Sequence, residues 1–435
     1  MPITIFGGCS TLVVVKEGEY AIRDPSLAPK GRDMIEWARD HMPVLEAIRE
    51  RFEEERPLEG ITVGMTLHLE AKTAVLVETL MAGGAEVAIT GCNPLSTKDE
   101  VAAALVREGV HVYAWRGETE KEYYQNIDRV LSHEPDIIVD DGADCIARVH
   151  TEFPDLTERV IGATEETTTG VNRLHVMHRE GILKFPVIAV NNAKTKYLMD
   201  NRYGTGQSAL DGLMRATNIL LAGKTVVVVG YGWCGRGIAR RARGLGANVI
   251  VVEVDPIKAM EAIFDGFRVM PMDRAAEEGD IFITATGNRD VIRGEHIEKM
   301  KDGVILANAG HFDVEIDKEY LEEHCEEKID RRGGLVTEYR MPNGKRVYLI
   351  AEGRLVNLAA GEGHPIEIMD ISFALQALSV EVLAKEGEGM EPGVYKVPKD
   401  VDKRVAELKL KSMGVELEEL TPEQREYMES WEEGT

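Results

Sequence analysis

The sequence predicts an α/β protein with two doubly wound parallel-sheet domains and a small C-terminal tail. Its 435 residues exceed what one hydrophobic core usually supports, since a domain runs to about 150 residues. Two separate series of short apolar runs alternate with helical patterns, which is typical of parallel sheets wound by crossover helices. A glycine-rich turn follows the first strand of the second series and opens a helix, as in a nucleotide-binding sheet.

The first series begins with a strand, a helix and a second strand. The pair Gly83-Gly84 ends the helix, as glycine commonly does at a helix C-terminus. A later apolar run ends in Asp140-Asp141-Gly142, which places two carboxylates at the carboxyl end of a predicted strand. Open α/β sheets bind ligands at that edge, so we expect this half to hold a substrate. The predicted strands are 61–65, 85–89 and 137–139, and the predicted helix is 71–82.

The second series repeats this alternation. Each of its strands ends in a loop that contains glycine, asparagine or an acidic residue, at the edge where a ligand is expected. The pattern then changes to one longer helix, and a Gly- and Pro-containing stretch leads into a charged tail. The predicted strands are 225–229, 249–253, 281–284 and 304–307, and the predicted helices are 236–245 and 369–383.

The glycine-rich turn, Gly230-Tyr231-Gly232-Trp233-Cys234-Gly235, predicts a dinucleotide site. The first two glycines permit a tight turn and a close approach of pyrophosphate, and the third lets helix and strand pack together. The phosphates then meet the N-terminus of the following helix. Glu253 ends the next strand and is expected to hold the adenosine ribose, which favours NAD over NADP.

Composition excludes several classes of protein. The chain carries 76 acidic and 51 basic residues, and its net charge of -25 repels phosphate backbones and anionic membranes, so no nucleic-acid partner is expected. No stretch approaches the roughly 20 apolar residues that span a bilayer. The apolar N-terminal run lacks a preceding basic residue, so we expect a cytoplasmic protein. The five cysteines, Cys9 included, form no CxxC pair, so neither disulfides nor a metal site is expected.

Several further motifs are shared with one enzyme family. On these motifs the chain resembles the S-adenosylhomocysteine hydrolases along nearly its whole length. An S-inosylhomocysteine-preferring archaeal-type branch of that family is the closest alternative. The motifs are Leu67-His68, Asp140 to Asp144, Glu165 to Gly170, Lys196 with Asp200-Asn201, Gly310 to Asp313, Arg354 to Leu358 and Gly363 to Pro365.

The resemblance implies a reversible hydrolysis of S-adenosyl-L-homocysteine to adenosine and L-homocysteine, within the S-adenosylmethionine cycle of one-carbon metabolism. Tightly bound NAD transiently oxidises the ribose 3'-hydroxyl, homocysteine is eliminated, and water adds before the hydride returns. Lys196 is expected to act as the base at the 3'-hydroxyl if its site lowers its pKa. Asp141 and His68 are expected to handle the C4' proton and the leaving sulfur or incoming water.

The same resemblance implies the remaining site residues. The predicted catalytic residues are His68, Asp141, Glu166, Lys196, Asp200 and His311. The predicted substrate-binding residues are Glu70, Lys72, Asp141, Glu166, Lys196, Asp200 and His364. The predicted cofactor-binding residues are Thr167, Thr168, Thr169, Asn201, Gly230, Gly232, Trp233, Cys234, Gly235, Arg236, Gly237, Glu253, Lys258, Asn288, Ala309, Gly310, His311, Asn357 and His364.

The chain departs from the family at the stretch that recognises the purine. Glu70 and Lys72 stand where many members carry Thr and Glu or Gln. Adenine offers an N6 donor and an N1 acceptor, whereas hypoxanthine offers an N1 donor and an O6 acceptor, and the Glu/Lys pair satisfies either. S-Adenosyl-L-homocysteine is therefore expected from the family, with S-inosyl-L-homocysteine as the alternative.

The resemblance also implies an assembly and a division of the chain. We expect a homotetramer, although the C-terminus lacks the Lys- and Tyr-bearing extension of many relatives. A conventional NAD-dependent dehydrogenase is a more distant alternative, because the turn at Gly230 alone permits it. The predicted division is a substrate-binding domain of residues 1–200 and 365–395, an NAD-binding Rossmann domain of residues 201–364, and a C-terminal oligomerisation tail of residues 396–435.

Overall fold

Two mostly parallel sheets, each covered by helices, make up the fold and confirm the predicted α/β class. The computed structural model describes residues 4–8 and 11–431. Cys9 and the last four residues of the predicted tail, 432–435, lie outside the described residues. Within the described ranges, no helix is long and apolar enough to cross a membrane.

The first sheet contains ten strands in the part of the chain that the structure describes. They are β1 (Thr4–Gly8), β2 (Thr11–Lys16), β3 (Tyr20–Ile22), β4 (Thr62–Thr66), β5 (Glu86–Thr90), β6 (His111–Tyr113), β7 (Ile137–Asp140), β8 (Gly162–Glu165), β9 (Pro186–Ala189) and β18 (Gly393–Lys396). Their spatial order is β1-β2-β3-β6-β5-β4-β7-β8-β9-β18. The first three strands form an antiparallel edge, and the pairings from β3 to β18 are parallel.

The second sheet has eight strands within the described ranges. They are β10 (Thr225–Val229), β11 (Asn248–Val252), β12 (Arg268–Val269), β13 (Ile281–Thr284), β14 (Val304–Asn308), β15 (Glu327–Arg331), β16 (Val336–Arg340) and β17 (Arg346–Ile350). Their spatial order is β12-β11-β10-β13-β14-β17-β16-β15. The antiparallel β15-β16-β17 extension was not predicted from the sequence, because β15 is mostly exposed and lacks a continuous apolar run.

The helices lie between the strands and after them. They are α1 (Ala28–Asp40), α2 (Pro43–Glu55), α3 (Ala71–Ala82), α4 (Asp99–Arg107), α5 (Glu120–Leu131), α6 (Asp144–Glu152), α7 (Thr168–Arg179), α8 (Lys194–Lys196), α9 (Thr205–Thr217), α10 (Trp233–Gly244), α11 (Pro256–Phe264), α12 (Met272–Glu278), α13 (Gly294–Ile297), α14 (Lys318–His324), α15 (Val356–Ala359), α16 (Ile366–Glu386), α17 (Lys399–Ser412) and α18 (Pro422–Glu429). A π-helical segment, Tyr197–Gly204, joins α8 to α9.

Each sheet has one point where the chain reverses its winding direction. In the first sheet it lies between β4 and β7, and in the second it lies between β10 and β13. The loops that leave neighbouring strands diverge there, which opens a crevice for a ligand at the carboxyl edge. Leu67-His68 after β4 and Asp141 after β7 lie at the first crevice, and the glycine-rich turn after β10 lies at the second.

The C-terminal part of the chain returns to the first sheet. Helix α16 is buried in the core of the first sheet, and β18 pairs with β9. Helix α17 packs against α16 and α2 through Val401 and Val405, and its Asp402 accepts hydrogen bonds from the backbone amides of Lys194 and Thr195. The first part of the predicted tail is therefore packed on the first domain. The predicted domain limits and the oligomerisation role of the tail stay predictions.

Candidate active site

A cavity lies where the carboxyl edges of the two sheets face each other. Its walls come from both halves of the chain, because loops after β4 and β7 meet loops after β14 and the segment around α15. The lining residues are Leu67, His68, Glu70, Lys72, Thr73, Asp141, Glu166, Thr167, Lys196, Asp200, Asn201, Thr205, Cys234, Ala309, His311, Leu355, Asn357, Leu358, His364, Met369 and Phe373. All six predicted catalytic residues line this one cavity.

Asp141 lies between two histidines that come from different sheets. Its carboxylate is 3.5 Å from Nε2 of His68 and 3.6 Å from Nδ1 of His311. Ser96 orients the His68 ring, because its hydroxyl lies 2.8 Å from Nδ1. Burial lowers the pKa of His68 to about 4, against the opposing attraction of Asp141. His68 is therefore a neutral imidazole near pH 7.

Lys196 lies at the centre of a second polar group. Its ammonium is 3.4 Å from carboxylate oxygens of both Glu166 and Asp200, and it donates to the side-chain oxygens of Asn191 at 3.3 Å and Asn201 at 3.1 Å. The π-helical segment after Lys196 carries Asp200 and Asn201, and π-helical turns often occur at functional sites.

The charge of Lys196 differs from the sequence-based expectation. Burial by itself lowers the pKa of this lysine, but the carboxylates of Asp200 and Glu166 outweigh burial and raise the pKa above its usual value. The condition of a lowered pKa, under which Lys196 was expected to act as a base, is therefore not met in this arrangement. Conversely, burial raises the pKa of Glu166 to about 8, although Lys196 acts to lower it.

Helix α16 supplies partners that the sequence analysis missed. Ser372 donates to Asp200 at 2.7 Å, and Gln376 donates to Glu166 at 2.5 Å. A detectable signal existed, because these two polar residues are one helical turn apart within a largely buried helix. His364 completes the group, with Nδ1 3.0 Å from Asp200 and Nε2 3.2 Å from the hydroxyl of Thr205.

The predicted purine pair occupies one end of the cavity. Glu70 and Lys72 are only 6% and 5% exposed, and the ammonium of Lys72 is 2.9 Å from Oε2 of Glu70. Lys72 also donates to the backbone oxygen of Glu362 at 2.8 Å, across the junction between the two halves. Apolar side chains of Leu358, Met369 and Phe373 contribute to the wall of the cavity. A flat base bound here would contact the apolar wall with one face and the charged groups of Glu70 and Lys72 with its edge.

The turn between β10 and α10 fits the pyrophosphate of NAD. Gly230 has a φ of 98°, which favours glycine, and a side chain on Gly235 would overlap the carbonyl oxygen of Gly230. A side chain on Gly232 would meet nothing within 4 Å, so the turn leaves open space at the N-terminus of α10. The Glu253 carboxylate accepts a hydrogen bond from the Tyr231 amide at 2.7 Å. This bond fixes the carboxylate beside the open space.

The nicotinamide side of the predicted site lies in the cavity. Thr167, Asn201, Ala309 and Asn357 are among the lining residues. Within the described residues, Oδ1 of Asn357 is buried and has no hydrogen-bond partner, so it suits a polar cofactor group such as an amide.

Other predicted cofactor residues have contacts within the protein. Thr168 accepts from Asn191 at 3.0 Å, and a side chain on Gly287 would come within 3.5 Å of the Thr169 hydroxyl. Cys234 lies 3.5 Å from the Thr205 hydroxyl, and the amide of Gly310 donates to Asn308 at 2.7 Å.

The last group of predicted cofactor residues lies on α10, α11 and the loop after β13. Arg236 pairs with Glu261 and lies over the Trp233 ring, and Lys258 is half-exposed on α11. Asn288 is exposed after β13. Gly237 faces Arg202 and Gly206, so helix packing accounts for this glycine.

Two family models match the chain. The model described as "S-adenosyl-L-homocysteine hydrolase" covers residues 19–154. The model described as "S-adenosyl-L-homocysteine hydrolase, NAD binding domain" covers residues 201–363. The first match contains His68 and Asp141, and the second contains the glycine-rich turn. Both matched regions therefore contribute residues to the lining of the cavity, together with residues outside them such as Glu166 and Lys196.

Curated relatives match almost end to end. A protein of Methanopyrus kandleri named S-inosyl-L-homocysteine hydrolase is 97% identical over 98% of this chain and 100% of its own length. One of the same name from Methanocaldococcus jannaschii is 62% identical over 96% of this chain and its whole length. A Sulfurisphaera tokodaii protein named adenosylhomocysteinase is 60% identical over the same shares. The chain is accordingly a hydrolase with NAD as its cofactor, and it belongs to the S-adenosyl-L-homocysteine hydrolase family.

Proposed function

We propose that the protein hydrolyses S-inosyl-L-homocysteine to inosine and L-homocysteine. The observation that carries this proposal is the 97% identity, over 98% of the chain, to a protein named for that substrate. S-Adenosyl-L-homocysteine is the second candidate, because relatives that are 60% identical are named adenosylhomocysteinase. Both candidates share the chemistry of the cavity and differ only at the purine.

The group around Lys196 is suited to the ribose hydroxyls. Bound NAD supplies a reversible oxidant for the 3'-carbon, which makes the neighbouring C4' proton acidic enough to be removed. Oε1 of Glu166 accepts no hydrogen bond within the described chain, so it is available to a ribose hydroxyl. Lys196 takes the 3'-hydroxyl proton once it has lost its own, and Asp200 orients the lysine from 3.4 Å.

The pair Asp141 and His68 is suited to elimination and water addition. Asp141 accepts the C4' proton, and the thiolate of homocysteine then leaves from C5'. Neutral His68, 3.5 Å from Asp141, accepts a proton from the water that adds at C5', and Asp141 returns its proton to C4'. His311 closes the other side of Asp141, so its imidazole helps to keep bulk water away from the reacting carbons.

Glu70 and Lys72 are suited to a lactam edge. Oε2 of Glu70 accepts from the Lys72 backbone amide at 3.0 Å and lies 2.9 Å from its ammonium, so Oε1 is the oxygen offered to a purine N1–H. The Lys72 ammonium then donates to O6 of hypoxanthine. Both hydrogen bonds involve a charged group, which makes them stronger than bonds between neutral groups.

A comparison of two substrates tests this proposal. The purified protein is incubated with S-inosyl-L-homocysteine or S-adenosyl-L-homocysteine, and free homocysteine thiol is measured without added NAD. We expect kcat/KM to be at least about tenfold higher for the inosyl compound, because adenine in this same pose would place its N1 acceptor against Glu70 and its N6 donor against Lys72. A preference for the adenosyl compound would overturn the choice of purine. Continuous release of reduced nicotinamide would instead indicate a dehydrogenase.

A lysine variant tests the role of the purine pair. Lys72→Met keeps much of the side-chain volume but removes the donor to O6, so it should lower kcat/KM for the inosyl compound by about 10- to 100-fold. Lys121→Met, at an exposed position of α5, is the matched control and should leave kcat/KM unchanged. Equal losses for both variants would show that Lys72 does not read the base.

We also propose a homotetramer in the cytoplasm. Large apolar side chains are exposed just before α11, at its end and in the last described turn, with Val254 97%, Phe264 80% and Trp431 90% exposed, and contact between subunits would cover them. Light scattering of the purified protein should give four times the monomer mass, and a monomer would contradict the proposal. After cell fractionation, the protein should be found in the same cytoplasmic fraction as the enzymes that use its small-molecule products.

A further inference from the structure

Three metal-ligating side chains meet at the amino edge of the first sheet, away from the cavity. Glu86 is the first residue of β5, and His111 is the first residue of β6. His133 follows α5, two residues beyond its end. Because the catalytic side chains follow the carboxyl ends of β4 and β7, this cluster lies at the opposite edge of the same sheet.

The distances in this cluster suit one small cation. One ligand atom from each residue lies within 4.8 Å of the other two. Nε2 of His111 and Oε1 of Glu86 are 3.4 Å apart. Two atoms that each bind a tetrahedral zinc at about 2.1 Å are separated by about 3.4 Å, so this pair already has the spacing of two ligands.

Each imidazole also has a contact that fixes the orientation of its ring, as metal-binding histidines usually do. Nδ1 of His111 lies 3.3 Å from the backbone oxygen of Glu19, which favours a proton on Nδ1 and leaves the lone pair of Nε2 towards Glu86. The hydroxyl of Tyr113 lies 2.8 Å from Nε2 of His133, and the two imidazole rings contact each other with centroids 4.2 Å apart. The rings are therefore oriented before any ligand arrives.

The charges of the cluster favour a cation as well. The single carboxylate of Glu86 provides part of the compensating charge, and the chain as a whole carries a net charge of -25.

We propose that Glu86, His111 and His133 form a zinc site, with water completing a tetrahedral shell. Two imidazoles and one carboxylate suit borderline divalent cations, among which zinc accepts this ligand set without a strong geometric preference. The ion connects β5, β6 and the end of α5, so its role is structural. No metal site was expected from the sequence, because the cysteines form no CxxC pair and these three ligands are far apart in the sequence.

Zinc titration of the holoenzyme tests the site. After treatment with a chelator, the protein is titrated with Zn²⁺ in a calorimeter, and Co²⁺ serves as a coloured probe of tetrahedral geometry. We expect one site per chain that Glu86→Gln and His111→Gln each weaken by at least about tenfold, with loss of the cobalt bands. His175→Gln, an exposed histidine of α7, is the control and should bind as the unmodified protein does.

A comparison of two variants distinguishes zinc binding at this cluster from zinc binding in the active site. His68, Cys92 and Asp141 form another group whose ligand atoms lie within 4.8 Å of one another. If Cys92→Ser abolishes the zinc signal and Glu86→Gln does not, the metal is in the cavity and the proposal is overturned. Failure of the holoenzyme to bind zinc overturns it too. Glu86→Gln should retain full hydrolase activity, because Glu86 touches none of the residues assigned to the reaction.

Discussion

Individual side chains in the cavity differ in charge because burial and neighbouring charges act in opposite directions. Burial favours the neutral form of every group, and it prevails for His68 and Glu166. The charge of Asp200, and that of Glu166 when it is ionised, outweighs burial for Lys196, and Lys196 together with the contact to His364 holds the pKa of Asp200 below its usual range. These opposing shifts separate proton-accepting from charge-stabilising groups within a few ångströms.

The raised pKa of Lys196 predicts how the oxidation step depends on pH. Only the neutral amine accepts a proton, so the rate should rise by up to about tenfold per pH unit above neutrality. Lys196→Arg keeps the positive charge but cannot lose its proton, so the rate should fall by about 10²- to 10⁴-fold and the rise should vanish. Single-turnover absorbance of reduced nicotinamide measures both effects.

Lys194→Arg is the matched control for this experiment. Lys194 lies in the same short helix as Lys196 but is exposed, so its replacement should change neither the rate nor the pH profile. An unchanged rate and profile in Lys196→Arg would exclude Lys196 as the base.

Replacement of Glu166 is predicted to affect stability and activity in opposite directions. Its pKa is about 8 in the folded protein and 4.5 in the unfolded chain, so the folded state holds its proton to higher pH. The stability that this proton provides is complete below about pH 4.5 and is lost as pH rises through about 8. Glu166→Gln should therefore lose less stability than the unmodified protein between pH 5 and pH 8, while losing activity.

Urea unfolding at pH 5 and pH 8 measures this difference. Glu180→Gln is the control, because Glu180 is exposed at the end of α7 and should not alter the pH dependence. A Glu166→Gln protein that loses stability with pH as steeply as the unmodified protein would contradict the raised pKa.

At the scale of elements, strand ends place the chemistry and glycines allow the elements to meet. β4 and β7 deliver His68 and Asp141 to one crevice, and β10 delivers the glycine-rich turn to the other. In each case a parallel strand carries the side chain to the carboxyl edge of its sheet. The single helix α16 then supports both Glu166 and Asp200 from behind.

Two glycine variants of α10 separate cofactor binding from folding. A methyl group on Gly232 meets no protein atom within 4 Å, so Gly232→Ala should fold normally. The methyl group occupies the space where pyrophosphate approaches, and NAD affinity should fall by at least about tenfold. Gly244→Ala also enters open space, but at the far end of α10, and should leave NAD affinity unchanged. Equilibrium binding of NAD measures both, and equal affinities would place the pyrophosphate elsewhere.

At the scale of the whole molecule, the cavity exists because two halves of the chain are held together. A side chain on Gly142 would overlap the imidazole of His311, so the loops after β7 and β14 are in close contact. Arg116 connects the halves on another side, donating to the backbone oxygens of Leu95 and Ala359. Lys98 adds an ion pair to Glu362 at 2.9 Å.

Removal of the Arg116 contacts should weaken the whole protein. Arg116→Met leaves the carbonyls of Leu95 and Ala359 without their donor, which should lower the free energy of unfolding by about 1–3 kcal/mol. Denaturant unfolding measures the loss. Arg179→Met, exposed at the end of α7, is the control and should change stability by less than about 0.5 kcal/mol. A loss no larger than that of the control would show that this contact does not hold the halves together.

The catalytic side chains stay predictions that rest on the family resemblance. The sequence by itself determined the fold class and the glycine-rich turn. These follow from local information, since α3, β10 and β13 match the predicted 71–82, 225–229 and 281–284. Only the tertiary structure decided the charge of Lys196, the contact of Lys72 with Glu362 and the cluster of Glu86, His111 and His133. The physical reason is that pKa values and metal ligation depend on distances between groups that only folding brings within a few ångströms.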